Sequence, residues 1–424
     1  MTRFWQTVTL LIGSFALSAG AETLHWNIQT KFGVSVPGLR TAINEAKDHF
    51  SKAPDDVVIL EFDEGSFYLE DESAAKGTID LSGIKPGSKG RLVFQGKGID
   101  KTILVFGDNK DALWGRDVYR VTMAGMHMTR KQYTVSQGMV VSTAPGKVVL
   151  EIQEGFPTPA DIFNAKSDQG RYLRRYTNSK TDPQMIQENN DQIPWTRASR
   201  IEGQRWEIEL KNKKVVANYS KGDLVGIKSK HGGQAYWFMG GSDIVFESVK
   251  WTQKTRGVFR GGCDKIRFLN CITERSPPIH GQMPCLASPE GGPQIGQPND
   301  PPTTGNLVKN CRFIASGDDA VAFFNASGEI IGCYSSDAFC RGILAANSPG
   351  AVLTNNTVVR CPVQQSKDYR LPAHQDKVLR TPTKTAIKDL IREDVSFGGI
   401  QPKQPEGGQS TEDQTERKED GRRK

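Results

Sequence analysis

Two adjacent acidic residues, Asp318 and Asp319, are the residues of this 424-residue chain best suited to chemistry. They lie in the segment Ser-Gly-Asp-Asp-Ala-Val-Ala-Phe-Phe, residues 316–324. Because neighbouring carboxylates repel each other, one of them binds a proton more readily than the other. One dipeptide can therefore supply a general acid and a general base, which is the chemistry of glycosidic bond cleavage.

A simpler interpretation of the acid pair stays open. Aspartates often form turns by accepting hydrogen bonds from nearby backbone amides. Two carboxylates at one corner of a fold can also bind Ca²⁺ through their oxygens. Asp264 and Asp337, at other predicted turns, are expected to be turn formers only.

Arginines near the pair are candidates to bind substrate. Aligning the β-rich segments around the acids predicts that Arg256, Asp319 and Arg341 share one column, with Arg341 on the coil directly after the acids. Stacked coils are about 4.8 Å apart. An arginine at that distance can hold a carboxylate ionised, or bind sugar hydroxyls or an acidic group.

A proline-rich excursion between residues 276 and 304 leaves its coil one layer before the acids. It carries His280 and Gln294, which suit the recognition of sugar hydroxyls, and Asp300, the nearest candidate for a third catalytic carboxylate. Stiffened by prolines, the excursion is predicted to form one wall of a cleft. An ordinary surface loop is the alternative.

The elements that must position these residues are short β-rich segments that recur about every 22 residues from Asp243 to Pro362. A repeat of this length indicates a solenoid, in which each coil buries its inward face on its neighbours. In this register the cysteines at 271, 311 and 333 stack with Asn356, and asparagines at 270 and 310 stack with Asn355. The seven cysteines are therefore interpreted as buried structural thiols, not as disulfides or metal ligands.

The first part of the chain indicates how such a solenoid begins. Apolar residues at helical spacing predict a helix within 34–53, followed by a strand at 57–62. Residues 96–104 then read Gly-x-Gly-x-Asp-x-Thr-x-Leu. This order of helix, strand and glycine turn resembles the N-terminal cap of the pectate-lyase-like superfamily, which implies a right-handed parallel β-helix.

Residues 146–230 break the repeat with strands that alternate as in an antiparallel unit, and they predict a small inserted β-barrel. The fold class is therefore all-β: a right-handed parallel β-helix with a β-barrel-like insertion. The predicted divisions are a signal peptide (1–21), an N-terminal cap and first coils (22–145), the barrel (146–230), the main coils with the site (231–363), a C-terminal cap with a short helix at 383–393 (364–400), and a disordered tail (401–424).

Composition and the N-terminus predict where the protein works. A short charged start, an apolar run too short for a bilayer and a small-residue exit are typical of a secretory signal peptide. The mature protein is expected to be secreted or periplasmic, with no membrane association after cleavage. The net charge of +7 is spread along the chain, which disfavours a nucleic-acid partner. A carbohydrate substrate is the expected partner, and the oligomeric state is not indicated.

A more specific resemblance rests on Gly317-Asp318-Asp319-Ala320, one coil before Arg341-Gly342. This segment resembles the Gly-Asp-Asp core of polygalacturonases. The inserted barrel, Lys-Gly-Asp-Leu-Val at its exit (221–225) and Asn-Cys-Arg-Phe before the pair (310–313) resemble the α-1,3-galactosidases of glycoside hydrolase family 110. The resemblance implies an inverting hydrolase of galactosides or galacturonans with three catalytic acids and no cofactor. The Gly-His-Gly segment of polygalacturonases is absent.

Two other functions compete with the hydrolase. A polysaccharide lyase on the same fold would hold Ca²⁺ against a uronate with the acids and would use Arg341 or Lys309 as its base. A non-catalytic carbohydrate-binding β-helix would use the acids only as turn residues. These functions differ in their response to a chelator and in their products.

Overall fold

The computed structural model describes residues 21–71, 77–163, 171–186, 193–229, 232–348 and 350–361, and two short strands within 386–393. The predicted signal peptide, most of the predicted C-terminal cap and the predicted tail lie outside the described residues. The N-terminal elements are β1 (Thr23–Asn27), α1 (Ile28–Lys31), α2 (Val36–Lys52), β2 (Val57–Glu61), β3 (Gly65–Leu69), β4 (Gly77–Asp80), β5 (Arg91–Gln95), β6 (Thr102–Phe106) and β7 (Asp111–Arg130).

An antiparallel unit and the main coils follow. The antiparallel unit comprises β8 (Ser136–Ala144), β9 (Lys147–Ile152), β10 (Tyr172–Tyr176), β11 (Ile193–Glu202), β12 (Arg205–Leu210), a 3-10 helix (Lys213–Asn218) and β13 (Leu224–Lys228). The coils comprise β14 (Tyr236–Trp251), β15 (Gly257–Arg260), β16 (Arg267–Leu269), β17 (Ile272–Thr273), β18 (Pro293–Ile295), β19 (Thr303–Lys309), β20 (Arg312–Ile314), β21 (Ala322–Phe324), β22 (Ala326–Ile331), β23 (Tyr334–Ser336), β24 (Leu344–Ala346), β25 (Ala351–Thr354), β26 (Thr357–Val359), β27 (Ala386–Lys388) and β28 (Ile391–Glu393).

The coil strands pair in parallel on three faces, and the long strands β7 and β14 run through all three, which joins them into one 22-stranded sheet. We call the face made by β4, the first part of β7, the first part of β14, β15, β18, β21 and β24 the site face. The molecule is thus the predicted all-β parallel β-helix with an inserted barrel.

Side chains that point into the coil stack on their equivalents in the next coil. Phe246 and Phe268, paired in register, stack with ring centroids 5.1 Å apart and 7° between planes. Both rings are fully buried. Each Å² of apolar area that is buried contributes about 25 cal/mol of stability, and this burial is repeated in every coil of the solenoid.

The predicted cysteine and asparagine columns are present. The thiols of Cys271, Cys311 and Cys333 each donate to a backbone carbonyl of the preceding coil, at 3.3, 3.5 and 3.6 Å. Asn356 ends the column, because its amide donates to the Ile330 carbonyl at 2.8 Å. All seven cysteines are free and buried, as predicted.

The neighbouring column explains why asparagine recurs there. Asn270, Asn310 and Asn355 have φ of 55°, 53° and 54°, and Gly332 in the same column has φ of 62°. Asparagine and glycine are the residues that adopt this left-handed conformation at least cost. The corner therefore selects its residues through backbone geometry.

The first helix and strand lie as predicted, whereas the last predicted helix does not form. In α2, Ser35 caps the helix by accepting a hydrogen bond from the Gly38 amide at 3.1 Å. The segment predicted as a helix at 383–393 instead forms β27 and β28, which pair in parallel with β25 and β26. Stacking on the previous coil prevails there over helical spacing.

The insertion is a closed barrel of β8 to β13 with its own apolar core. It begins at Ser136, not at Gly146, because β8 pairs with both β9 and β13. Strands β9 and β12, both predicted from their alternation, are neighbours in it.

Candidate active site

The acids Asp318 and Asp319 lie at the corner that leads into β21 on the site face. Extending the pairing of Gln294 with Ala322 back along the strands places Gly291 beside Asp319. The Gly292 amide donates to the Asp319 carbonyl at 2.9 Å, which continues the parallel ladder into this corner. The acids are therefore positioned by backbone pairing with both neighbouring coils.

Asp319 forms an ion pair with Arg341 on the next coil. The Arg341 Nε donates to Oδ1 at 2.5 Å and its Nη2 donates to Oδ2 at 3.2 Å. The side chains are 12% and 6% exposed. A two-pronged guanidinium contact with little water around it favours the ionised carboxylate.

Asp318 lies beside the buried thiol of Cys340. One ligand atom from each of Asp318, Asp319 and Cys340 lies within 4.8 Å of the other two. Burial raises the pKa of the Cys340 thiol to about 12, and Asp318 adds to the rise in its ionised form. The thiol is therefore neutral and is not suited to act as a nucleophile.

The carboxylate in the preceding coil is Glu290, in the row of Asp318. The register of β18 and β21 places the two residues beside each other, and the Gly317 amide donates to the Glu290 carbonyl at 2.9 Å. The Glu290 side chain is 8% exposed and lies 3.6 Å from the Arg256 guanidinium. Glu290 therefore lies one coil before Asp318 in the same row, with its side chain beside Arg256.

Lys254 occupies the same row one coil earlier, before β15. Its side chain is buried, and burial lowers its pKa to about 8, although the charge of Glu290 opposes this. Arg130, also buried, adds to the lowering. A lysine in this state can exchange a proton near neutral pH.

Arg256 does not share a column with Asp319. Its register position is that of Gly292, Ala320 and Gly342, one residue further along, and the coil of β18 lies between Arg256 and the acids. Its guanidinium donates to Gln294 Oε1 at 3.0 Å. Arg256 and Gln294, both predicted substrate ligands, therefore contact each other.

Asp300 and His280 are not brought to the acid pair. Asp300 lies at the far end of the site-face strands, where Arg260 holds it at 3.1 and 3.2 Å and the Gly261 amide donates at 2.9 Å. Burial alone raises its pKa, but these hydrogen bonds prevail and lower it. His280 is exposed on a turn against Gly155 of the barrel region.

The proline-rich excursion fastens the barrel to the coils. Gln137 of β8 accepts from the Cys285 amide at 2.6 Å and donates to the Met283 carbonyl at 3.1 Å. Ile279 enters the apolar core of the barrel. The excursion therefore joins two folded units, and its middle residues, 285–292, are buried and lead to the backbone beside Asp319.

Sequence reasoning did not assign Lys254, Glu290 or Lys228 to the site; Lys228 is the last residue of β13, and its ammonium donates to the Gly317 carbonyl. Lys254 precedes β15, but the alignment that puts Arg256 beside Asp319 is one residue out of register and places Lys254 beside Gly317 instead of Asp318. Glu290 is hidden in the excursion, which has no repeat spacing. Lys228 belongs to the barrel, and no sequence pattern predicts which coil it touches.

The residues at the corner do not fit Ca²⁺. This ion takes six to eight oxygen ligands. Here Asp319 is held by Arg341, the third nearby ligand atom is a thiol, and Lys228 and Arg341 add positive charge. The acids are therefore better suited to proton chemistry than to holding a hard cation.

Lys309, the predicted alternative base, lies away from this cluster. It is the exposed last residue of β19 and pairs in register with Leu269 and Ile331 on a different face. Of the two predicted lyase bases, only Arg341 lies at the acid pair.

No family model matches the chain, and no curated protein gives a significant match. Solved structures are similar to it at 10% identity. They include a protein of Geobacillus virus E2 (TM-score 0.39, 80% of this chain and 49% of that chain), a variant GH87 α-1,3-glucanase catalytic domain in complex with nigerose (0.40, 87% and 45%) and an alginate lyase from Paenibacillus sp. (0.38, 88% and 96%). The chain spans about half the length of the first two.

Among the described residues, no helix has the length and apolar character needed to cross a membrane.

Proposed function

We propose that this protein is a glycoside hydrolase that cleaves a galactoside- or galacturonan-type glycan. The observation that carries the proposal is the corner where Asp318 lies beside Asp319, which Arg341 holds, with Glu290 one coil earlier in the row of Asp318. Three buried or half-buried acids among cations form a costly arrangement that catalysis explains better than turn formation does.

The distance between the paired acids sets their roles. Oxygens of Asp318 and Asp319 lie within 4.8 Å, closer than the roughly 5–5.5 Å of retaining or 6.5–9.5 Å of inverting glycosidases. The pair alone therefore cannot act on both faces of a sugar. A third carboxylate must supply one of the two functions.

Glu290 is the best candidate for that third carboxylate. It lies between the positive charges of Lys254 and Arg256, which favour its ionised form and suit it to activate water. Asp318 would be the general acid, because repulsion from the ionised Asp319 keeps a proton on it. Asp319, fixed in its ionised form by Arg341, would keep the proton affinity of Asp318 above its own.

In this mechanism Asp318 protonates the leaving oxygen while Glu290 removes a proton from the attacking water. The glycosidic C–O bond breaks as the new C–O bond to water forms, and inversion is the expected outcome. Arg256 and Gln294 flank the corner and would bind the substrate hydroxyls or a uronate carboxylate. Export to the cell exterior or periplasm is part of the proposal.

Lys254 favours a second candidate, a lyase that needs no Ca²⁺. A buried lysine with a pKa of about 8 can remove the C5 proton of a uronate, and Arg256 or Arg341 would neutralise the uronate carboxylate. In this reaction the electrons of the C5–H bond form a C4=C5 double bond as the C4–O bond breaks, and the leaving oxygen takes a proton from water, which leaves an unsaturated sugar.

The test is incubation of the mature protein with galactosides, galacturonans and sulfated glycans, with and without EDTA. Reducing ends and absorbance at about 235 nm, where the unsaturated product absorbs, are followed together. Asp318→Asn and Glu290→Gln are run beside the wild type, with Asp264→Asn, at a turn away from the acid pair, as the matched control.

New reducing ends without absorbance, lost in both site variants but not in the control, are the expected result. Absorbance that survives EDTA would replace the hydrolase with the lyase. Glycan binding without turnover, unchanged in the site variants, would contradict both enzymes and leave a binding protein.

A further inference from the structure

The barrel reaches the acid pair through Lys228, the last residue of β13. Its side chain is fully buried. The Lys228 ammonium donates to the carbonyl of Gly317, the residue directly before Asp318. A barrel residue therefore contacts the peptide that carries the proposed general acid.

The same ammonium also contacts the next coil. It lies 4.1 Å from the ring centroid of Phe339 and 5.2 Å from that of Tyr172. Phe339 is fully buried and precedes Cys340 and Arg341 in the chain. Lys228 thus touches the turn before Asp318 and the turn before the arginine that holds Asp319.

The two turns are also joined to each other. The Phe339 amide donates to the Ser316 carbonyl at 2.8 Å, and the Cys340 amide donates to the Asp318 carbonyl at 3.4 Å. A second barrel cation, Arg174, lies over Phe339 with its guanidinium carbon 4.5 Å from the ring centroid. Cations over an aromatic face are attracted to it, most strongly where water is excluded.

Attachment of the barrel does not require a buried lysine. The interface already contains an apolar cluster that includes Leu224, Leu286 and Phe339. Arg275 donates to the Pro183 carbonyl at 2.8 Å, and the Met185 amide donates to Asp337 at 2.9 Å. Burying an ammonium is costly, and an apolar side chain of similar shape would often stabilise an interface as well.

We propose that Lys228 is a positioning residue of the active site, through which the barrel fixes the Gly317–Asp318 peptide and the Phe339–Arg341 turn relative to each other. The proposal rests on the proposed function, since it names a role at the same acids. The Lys228 ammonium also lies near the Cys340 thiol, as do the side chains of Asp318, Asp319 and Arg341. Lys228 acts on geometry and local charge and does not touch the substrate.

The test compares Lys228→Met, which keeps the shape of the side chain, with Lys228→Arg, which keeps its charge. Lys221→Met, at an exposed lysine of the barrel, is the matched control. Three quantities are measured: the thermal unfolding midpoint, kcat and KM on the substrate found above, and hydrogen exchange of peptides that cover 314–320 and 336–343.

Lys228→Met is expected to fold, with its midpoint within about 5 °C of the wild type. Its kcat should fall about 100-fold, as expected of a misplacement near 1 Å, while KM changes little. Exchange should rise in both peptides, and Lys228→Arg should recover at least part of the lost kcat. The control should match the wild type in all three measurements.

Unchanged exchange in both peptides of Lys228→Met would overturn the proposal, and so would a wild-type kcat. If Lys228→Met does not fold, Lys228→Arg decides the question. A folded Lys228→Arg with wild-type exchange and kcat supports the role of the charge. A folded Lys228→Arg that is inactive although its exchange is unchanged refutes it. Exchange is read without any substrate. A failure of the proposed function, seen as an inactive wild type, is thereby distinguished from a failure of this inference.

Discussion

Arg341 follows Asp319 by one coil, and its guanidinium contacts both oxygens of the carboxylate, at 2.5 and 3.2 Å. The Ala320 amide donates to the Arg341 carbonyl at 2.7 Å, so backbone pairing and side-chain pairing link the same two turns. The charge of the acid pair is thus set by the stacking of coils. Any change to one partner leaves the other charge nearly buried and uncompensated.

Asp319→Asn should lower the free energy of unfolding by about 3 kcal/mol, because Arg341 loses its counter-charge. It should also lower kcat about 100-fold or more, and move the upper limb of the kcat/KM pH profile to lower pH, since Asp318 no longer feels a neighbouring charge. Chemical denaturation and pH-rate profiles check both effects. In a cycle with Arg341→Met the losses should be less than additive; strict additivity would mean that the pair does not interact.

Glu290→Gln and Asp300→Asn separate the two candidates for the third carboxylate. We expect Glu290→Gln to reduce kcat by about 100- to 10,000-fold, the range for loss of a general base. Asp300→Asn should instead lower stability with little effect on kcat, because its contacts are with Arg260 and Gly261. Steady-state kinetics beside thermal unfolding decide between them, and a larger kcat loss at Asp300 would reverse the assignment.

The parts of the fold that the sequence predicts are those that repeat. The Cys311 to Cys333 step is one coil with no insertion, so the residues that follow, including Asp319 and Arg341, align correctly. Strands of the barrel were predicted from alternation, because each packs one face on the core. The start at Ser136 was missed because β8 follows closely after the long coil strand β7.

What could not be predicted depends on contacts between units. Glu290 precedes β18, a strand of three residues inside an excursion that has no repeat spacing. The segment at 383–393 has apolar residues that fit a helix, but stacking on β25 and β26 makes strands. Lys228 reaches Gly317 only through the docking of the barrel, and no local pattern encodes that contact.

The buried thiols predict a loss of stability in alkali. Burial raises the pKa of Cys263 and of Cys361 to about 12, whereas an unfolded cysteine ionises near 8.5. Above about pH 9 the folded chain binds more protons than the unfolded chain, so stability falls as pH rises, by about 1.4 kcal/mol per pH unit for each such thiol. Cys263→Ala should reduce this slope by one thiol's share in denaturation measured from pH 9 to 11. An unchanged slope would contradict the burial of Cys263.

Lys254 predicts a contribution of the opposite sign, namely a stability that rises with pH. Burial lowers its pKa to about 8, whereas an unfolded lysine ionises near 10.4. Between these values the unfolded chain binds the extra proton, so this residue makes the free energy of unfolding rise with pH, by up to about 3 kcal/mol over the interval. We therefore expect the free energy of unfolding of the wild type, relative to that of Lys254→Met, to increase by that amount between pH 8 and pH 10.5. The comparison is made at each pH by denaturation, so that the thiol contributions cancel. Lys221→Met, at an exposed lysine, should run parallel to the wild type. If the stability curve of Lys254→Met also runs parallel to that of the wild type, Lys254 loses its proton at the same pH in the folded and unfolded chains. Lys254 would then be excluded as a base.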